Sequence, residues 1–536
     1  MRHSSHCEFP VVSPLVSPLI QPRPFALLLF AAFLSLATLS ASADVGPVPA
    51  GWPNEANQAG AAYGTAVAAA GDVNGDGYGD LIVGAPLYDN GEVDEGAAFV
   101  YFGNATGLSP VPAWTAEGNQ PGAAFGASVA TAGDVNGDGY ADVIIGASGY
   151  DDGEEDEGRA FVYLGGPTGL AATPAWSFES NSPGAHLGAA VAPAGDVNGD
   201  GYSDVIVGAW NYQDSVDQQV EGRALLFPGG PAGLAGTPAW TAEGNQDLAR
   251  FGWSVATAGD VNGDGYADVI VGAPDFDNGE AGEGRAFVYL GTAAGLEPTS
   301  AWTAESDQPG AGFGSAVATA GDLDGDGYAD VAVGAPLYDT PAADAGATYV
   351  YFGNAGGLAA TPGDFHPGLV AGDRFGAALA AGGDLKGDGC GDLIVGAPGV
   401  SDGQTAEGAF SLFRGGCRGG QSAEFDGLAT SNQGASGFSA AVSGAGDVNG
   451  DGYADVVVGA PTFDNGETDE GRVYVYLGGP AGQPDNYPVS NSWISEGDQA
   501  DARWGAAVGS AGDVNGDGYS DLIVGAPLYD RGEIDE

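Results

Sequence analysis

Eight short acidic loops carry the residues best suited to chemistry in this chain of 536 residues. Loop one runs Asp72-Val-Asn74-Gly-Asp76-Gly-Tyr78-Gly-Asp80 and has side-chain oxygens at its positions 1, 3, 5 and 9. A hard cation such as Ca²⁺ takes about six to eight oxygen ligands, which these side chains and the carbonyl of position 7 can supply. Mg²⁺ demands stricter octahedral geometry, and transition metals prefer His or Cys, which these ligand positions lack. The loops therefore predict bound calcium.

Seven of the eight loops have side-chain oxygens at all four positions. A solvated turn rich in Asn, Asp and Gly is the alternative for any single loop, but sevenfold repetition favours an ion. Counting the carbonyl at position 7, the predicted metal ligands are Asp72, Asn74, Asp76, Tyr78, Asp80, Asp134, Asn136, Asp138, Tyr140, Asp142, Asp196, Asn198, Asp200, Tyr202, Asp204, Asp260, Asn262, Asp264, Tyr266, Asp268, Asp322, Asp324, Asp326, Tyr328, Asp330, Asp447, Asn449, Asp451, Tyr453, Asp455, Asp513, Asn515, Asp517, Tyr519 and Asp521.

Loop six, residues 384–392, departs from this pattern because Lys386 stands at position 3. An ammonium group cannot coordinate a cation, but it can neutralise the surrounding carboxylates. We predict that loop six holds no calcium and that Lys386 substitutes for it; a Lys386 that swings outward beside a weakly bound ion is the alternative. Cys390 replaces the loop Tyr, and Cys417 follows the next strand segment. Neighbouring ends of an antiparallel hairpin predict a Cys390–Cys417 disulfide, against two reduced thiols.

The loops belong to a repeat of 62 to 66 residues. Each unit contains four strand-sized segments, and apolar runs such as 81–83 and 269–271 do not alternate with polar residues, which indicates burial on both faces of a small sheet. A repeated four-stranded unit buried on both faces predicts an all-β fold, a β-propeller of four-stranded blades. An open β-solenoid is the structural alternative.

The order Phe-Gly, Asp-x-Asn-x-Asp-Gly-x-x-Asp and Gly-Ala-Pro resembles the FG-GAP repeat of the integrin alpha-chain amino-terminal propeller and of related secreted bacterial proteins. The resemblance covers nearly all of 52–536 and implies seven blades, calcium in loops between the first and second strands of certain blades, and adhesion or extracellular recognition. We favour seven blades on this ground, with eight as the alternative. The eighth unit ends at Glu536 before its third strand. We therefore expect seven full repeats and a truncated eighth, from a fragment or from a chain with an unusual closure. Either seven blades close with the eighth unit left over, or Trp52 lends its strand to an incomplete eighth blade.

Residues 1–43 differ from the repeats. An apolar run follows Arg23 and leads to Ala41-Ser-Ala43, the small-residue pattern of a cleavage site. We predict a signal peptide at 1–43, the propeller at 44–536, and a secreted or cell-surface location; a membrane anchor is the alternative. The net charge of −59 excludes binding to nucleic acid or to an anionic membrane, since both need clustered Lys and Arg.

A second acidic loop follows the apolar run of most units, for example Asp89-Asn-Gly-Glu92-Val-Asp94-Glu95, and strand alternation places it opposite the calcium loops. It is either a solvated rim or a site for basic partners or additional cations. No His-based triad is visible, and a catalytic carboxylate pair should be singular rather than repeated. We therefore predict a secreted calcium-binding module for cell adhesion or extracellular binding, with a protein or glycan ligand and no enzymatic activity. The alternative is a carbohydrate-active propeller, either a lectin or a glycoside hydrolase.

Overall fold

The structure is a computed structural model that describes residues 54–56, 58, 60–213, 220–340, 342–416, 424–479 and 493–530. The regular secondary structure of these ranges consists of thirty β-strands, which all lie in the unit Val45–Glu536. The proposed signal peptide 1–43 and the residue Trp52 lie outside the described residues, so those predictions stay open.

The strands form seven four-stranded antiparallel sheets and one two-stranded sheet, each in chain order. Blade one contains β1 (Ala66–Gly71), β2 (Asp80–Ala85), β3 (Ala97–Tyr101) and β4 (Trp114–Glu117). The other strands are, in blade two, β5 (Phe125–Gly133), β6 (Asp142–Ala147), β7 (Arg159–Tyr163) and β8 (Trp176–Glu179); in blade three, β9 (Ala190–Gly195), β10 (Asp204–Ala209), β11 (Arg223–Phe227) and β12 (Trp240–Glu243); in blade four, β13 (Ser254–Gly259), β14 (Asp268–Ala273), β15 (Arg285–Tyr289) and β16 (Trp302–Glu305); in blade five, β17 (Ala316–Gly321), β18 (Asp330–Ala335), β19 (Ala347–Tyr351) and β20 (Asp364–Pro367); in blade six, β21 (Ala378–Gly383), β22 (Asp392–Ala397), β23 (Ala409–Arg414) and β24 (Glu424–Thr430); in blade seven, β25 (Val442–Gly446), β26 (Asp455–Ala460), β27 (Arg472–Tyr476) and β28 (Trp493–Glu496); and in the two-stranded sheet, β29 (Ala507–Gly512) and β30 (Asp521–Gly525).

The first strands of the sheets pack side by side in a closed ring. Each first strand contacts the first strand of the next sheet, and β29 contacts both β25 and β1. The predicted all-β propeller of four-stranded blades is therefore confirmed, with seven such blades. The eighth unit is part of the ring, as a sheet with two described strands between blade seven and blade one. This closure excludes an open solenoid.

The core lies between the blades, as the unbroken apolar runs predict. All six residues of β2 are buried. Ile82 packs with Val143 and Ile145 of blade two, whereas Leu81 and Val83 pack toward the two-stranded sheet on the other side. Burial of each large aliphatic side chain contributes about 1.5–3 kcal/mol, so the middle strands hold neighbouring blades together.

The recurrent Trp residues are core residues. Trp114 is 8% exposed, and its indole Nε1 donates a hydrogen bond to the carbonyl of Ala171 in blade two, at 2.9 Å. Equivalent bonds to the next blade join Trp176 to Ala235, Trp240 to Glu297 and Trp302 to Ala359. These side chains fasten the outer edge of one blade to the next and are not free to stack on a sugar.

Candidate functional site

The acidic loops connect the first and second strands of each sheet, and they all lie on one face of the ring. In blade one the β1–β2 ladder ends at the pair Gly71–Asp80, after a register shift between Ala69 and Gly71. Such a bulge ends the regular pairing and lets the chain turn tightly. Loop one therefore begins and ends where β1 and β2 are paired.

Side chains of loop one hold its backbone in a tight curl. The carboxylate of Asp72 accepts backbone N–H groups from Gly75 (2.6 Å), Asp76 (3.1 Å) and Gly77 (2.8 Å). Asn74 Oδ1 accepts the N–H of Asp76 at 2.9 Å. Gly75 and Gly77 have φ angles of +73° and +90°, the left-handed region that favours glycine. The Oδ1 atoms of positions 1 and 3 thus meet at the N–H of position 5.

Position 9 ties the loop to the blade. Asp80 is fully buried; its Oδ2 accepts the N–H of Val73 and its Oδ1 that of Gly103, each at 2.9 Å. In the metal-free protein, burial raises the pKa of Asp80 to about 7, with further increases from Asp76 and Asp72 and an opposing decrease from the two backbone donors. Burial likewise raises the pKa to about 7 in Asp142, Asp268 and Asp330, and to about 6 in Asp204 and Asp455.

The residues present fit a divalent cation. In loop five, the carboxylate oxygens of Asp322, Asp324 and Asp330 all lie within 4.8 Å of one another. Burial, together with the charge of Asp326, raises the pKa of Asp324. Carboxylates packed this closely repel one another unless a cation or a proton intervenes. The donor set contains oxygen only, so loop five contains an acidic cluster that could hold a metal.

The Tyr at position 7 has a role that the sequence pattern did not indicate. The ring of Tyr140 covers Gly75 of the preceding loop, where an added Cβ would lie 2.5 Å from its Cε1 atom. The neighbouring residue Ala141 donates its N–H to the carbonyl of Asp72 at 3.0 Å. The same contact places Tyr78 on Gly516, across the junction of the eighth unit with blade one. Each loop is therefore braced by the next.

Lys386 points into loop six rather than outward. Its Nζ lies 3.1 Å from Asp388 Oδ2 and donates to the carbonyl of Gly415, and the side chain is 13% exposed. Burial raises the pKa of Asp392 to about 6, and the charge of Lys386 acts against that increase. The ammonium group thus lies beside Asp388 and is not swung outward. That Lys386 substitutes for an ion and that loop six holds no calcium stay predictions.

We expect Lys386→Asn to add one calcium site, because Asn restores an oxygen at position 3 and removes the competing charge. The measurement is the calcium stoichiometry by equilibrium dialysis. The matched control is Asn74→Lys, which should remove one ion from loop one. An unchanged stoichiometry in the Lys386→Asn protein would contradict this account of loop six.

Cys390 is 1% exposed and is disulfide-bonded. Its proposed partner Cys417 lies outside the described residues. The Cys390–Cys417 pairing therefore stays a prediction.

The FG-GAP repeat family model matches eight segments of the chain, residues 63–101, 125–163, 187–220, 251–289, 313–351, 375–413, 438–476 and 504–535. The chain is a member of the FG-GAP repeat family. Among curated proteins, integrin alpha-IIb of Mus musculus is 42% identical over 146 residues, 26% of this chain and 14% of that protein. Integrin alpha-V of Gallus gallus is 36% identical over 224 residues, 40% of this chain and 20% of that protein. The resemblance to integrin alpha chains is therefore confirmed.

A third relative has an enzyme name. Phosphatidylinositol-glycan-specific phospholipase D of Homo sapiens is 32% identical over 320 residues, 53% of this chain and 35% of that protein. The chain thus spans between 14% and 35% of these three relatives' lengths. A solved rhamnogalacturonan lyase, YesW, aligns over 75% of this chain and 65% of that chain, with a TM-score of 0.37 and 15% identity.

One cluster on the opposite face of the FG-GAP propeller interrupts the repeat. His186 stacks on Trp210 with ring centroids 5.3 Å apart, and Trp253 meets Trp210 edge-on at 5.5 Å. The guanidinium of Arg250 lies 5.6 Å from Trp210 and 5.4 Å from Trp253, and its Nε is 2.9 Å from Asp275 Oδ2. Trp253 is 41% exposed. We call these five residues the aromatic cluster.

The sequence signal for the aromatic cluster is a departure from the repeat. Trp210 stands where most units have the Pro of Gly-Ala-Pro. Trp253 stands where five other units have Ala. Neither residue belongs to the pattern that the repeats share. Among the described residues, the FG-GAP propeller has no helix long and apolar enough to span a membrane.

Proposed function

We propose that this FG-GAP repeat protein is a secreted, calcium-stabilised propeller that acts as an extracellular binding or cell-adhesion module. The observation that supports this most is the set of eight family matches, together with integrin alpha chains as relatives. Calcium in the loops between first and second strands rigidifies one face. The opposite face, made by the second acidic loops, is left to contact a partner.

Calcium is the cation that these loops suit best. The side chains at positions 1, 3, 5 and 9 are carboxylates and amides, and a ring of this kind tolerates the irregular coordination that Ca²⁺ accepts and Mg²⁺ does not. Sites of extracellular type have dissociation constants of about 10⁻⁴–10⁻³ M, so millimolar calcium would stabilise the fold by about 1 kcal/mol per loop. The ion's role is structural, because it holds a glycine-rich turn in place.

Two features support export. The leader 1–43 has the composition of a signal peptide. Cys390 is disulfide-bonded, which suits an oxidising compartment. A secreted propeller with no enzymatic activity would meet millimolar calcium outside the cell.

The experiment is a calcium-dependent binding assay with the secreted chain. The chain is immobilised and presented with purified extracellular matrix proteins and with a glycan array, in millimolar calcium and in EDTA. We expect a protein ligand that binds in calcium and is released in EDTA. A hydrolase panel that includes glycosylphosphatidylinositol substrates tests the enzyme alternative; turnover there, with no ligand bound, would overturn the proposal.

The aromatic cluster favours carbohydrate binding as a second candidate function. The exposed indole ring of Trp253 is suited to stacking on the apolar face of a sugar ring, and Arg250 and Asp275 supply hydrogen-bonding groups at the same place. The cluster occurs once in the described residues rather than in every repeat, so packing common to all blades does not explain it.

We expect Trp253→Ala to weaken glycan binding by at least about tenfold, the effect of losing ~1.4 kcal/mol of stacking. The measurement is titration of the best glycan from the array. The variant should fold, because Ala occupies this position in five other units. Leu337→Ala, which removes a side chain that is 40% exposed in blade five, is the control. Equal affinities for wild type and Trp253→Ala would remove the aromatic cluster from glycan binding.

A further inference from the structure

Three carboxylates meet in blade four, on the face opposite the calcium loops. Glu283 precedes β15, Glu305 ends β16, and Asp307 follows two residues later. One carboxylate oxygen of each lies within 4.8 Å of the other two. We call these residues the blade-four cluster. It shares no residue with the loop sites proposed above.

Glu283 is the residue that distinguishes this cluster from an ordinary acidic surface. It is 0% exposed. Its Oε1 accepts the N–H of Asn278 at 2.5 Å, while its Oε2 is buried without a hydrogen-bond partner. A buried carboxylate oxygen without a partner is strongly unfavourable, because its desolvation is not compensated. A cation bound between the three carboxylates would supply the missing interaction.

Arg285 neutralises only part of the cluster. Its Nη2 lies 2.7 Å from Glu305 Oε2, and its Nε donates to the same oxygen at 2.9 Å. The amide of Asn278 also donates to both oxygens of Glu305, at 2.8 and 3.0 Å. No contact of Arg285 with Glu283 or Asp307 occurs within the described residues. Two negative charges therefore remain beside each other, enough to attract a divalent ion.

Blade two shows what the same place looks like with one carboxylate fewer. Glu157 is 0% exposed and also has a buried Oε2 without a hydrogen-bond partner, and Glu179 pairs with Arg159. The third position is Asn181 rather than Asp. Asn181 and Asp307 have the same left-handed φ of +54°, and the side chain at this position is the difference.

At the position of Asp307, two residues after the Glu that ends the fourth strand, Asp makes fewer hydrogen bonds than Asn. In blade one, the amide of Asn119 donates to the carbonyl of Glu117 at 2.9 Å, and Asn245 makes the same bond in blade three at 2.8 Å. Asp307 has no such donor, and it places a charge next to an already buried carboxylate. A bound cation would compensate the repulsion between Asp307 and the buried carboxylate of Glu283.

Blade seven repeats the arrangement. Glu470, Glu496 and Asp498 have carboxylate oxygens within 4.8 Å of one another, and Arg472 pairs with Glu496. Glu470 is 1% exposed, and its Oε1 is buried without a hydrogen-bond partner. We propose that blades four and seven each bind a second divalent cation, of the calcium class, between these three carboxylates. Oxygen-only ligands exclude a preference for soft metals, and the exposure of Asp307 and Asp498 leaves part of the ion to water.

The experiment is a set of crystals of the full chain grown with calcium, with anomalous difference maps for wild type, Asp307→Asn and Asn181→Asp. We expect wild type to show calcium at the clusters of blades four and seven. Asp307→Asn should lose the blade-four ion alone, and Asn181→Asp should gain one in blade two. Both variants should fold, because each creates a side chain that other blades already have at this position.

The outcomes separate this proposal from the loop sites. Calcium in the loops with none at the blade-four cluster would overturn the second site and leave the loop sites intact. Calcium at the cluster with empty loops would overturn the loop sites and leave the second site intact. A blade-four ion that persists in Asp307→Asn, or no added ion in Asn181→Asp, would show that three carboxylates are not what binds it. Equilibrium dialysis of the same proteins should change by one ion per variant.

Discussion

Removal of calcium should lower the melting temperature of this propeller by about 7 °C at neutral pH. The reason is additive: seven loops with the full ligand set, at about 1 kcal/mol each in millimolar calcium, give about 7 kcal/mol. Unfolding of a chain of this length has an entropy of about 1 kcal/mol/K, so each kcal/mol is worth about 1 °C. Seven of the eight loops are covered by the Tyr of the next loop, and this bracing should make the loss cooperative around the ring.

The measurement is differential scanning calorimetry in millimolar calcium and in EDTA, with a magnesium sample as the control for ionic strength and charge. Magnesium should recover only a small part of the shift, because the irregular oxygen set suits calcium better. Identical melting curves in calcium and EDTA, together with no heat of calcium binding by titration calorimetry, would remove the structural-metal argument.

Much of the fold could be predicted from the sequence because the repeat is written in local patterns. The unbroken run at 81–83 indicated a strand buried on both faces, and Ile82 and Val83 pack on opposite neighbours. Trp residues recur with the period of the repeat, and Trp114 is buried against the next blade. Each of these inferences needs only the residues of one strand and its period.

The features that the sequence did not indicate depend on residues brought together by ring closure. Tyr140 covers Gly75 although 65 positions separate them in the sequence, and no local pattern couples the two. The inclusion of the eighth unit in the ring likewise depends on contacts of β29 with β25 and β1. The blade-four cluster joins residues from both ends of the β15–β16 hairpin. In the sequence, only the repeated Glu of Glu-Gly-Arg, here Glu283, and the Glu that ends the Trp strand, here Glu305, pointed to it.

The metal-free propeller should lose stability as the pH rises from about 4 to about 7. Burial raises the pKa of the position-9 carboxyl to about 7 in Asp80 and Asp142, whereas an unfolded Asp titrates near 3.8. Between these values the folded state holds protons that the unfolded state has released, so stability is full below the lower value and declines through the window. Each unit of pKa shift corresponds to about 1.4 kcal/mol, so the loops together should lower the free energy of unfolding by several kcal/mol across this window.

Calcium should reverse this trend, because it binds the ionised carboxylates and competes with protons for them. The stabilisation by calcium should therefore be greatest above pH 7 and should disappear as the pH falls toward 5. Denaturant unfolding across this range, with EDTA and with calcium, measures both. The net charge of −59 also makes the folded state more stable at lower pH, because fewer carboxylates are then charged and repel one another. Salt screens this repulsion between exposed charges but leaves the titration of a buried group in place. A pH dependence in EDTA that vanishes at high salt would mean that surface repulsion, and not the buried Asp at position 9, controls the stability of the metal-free ring.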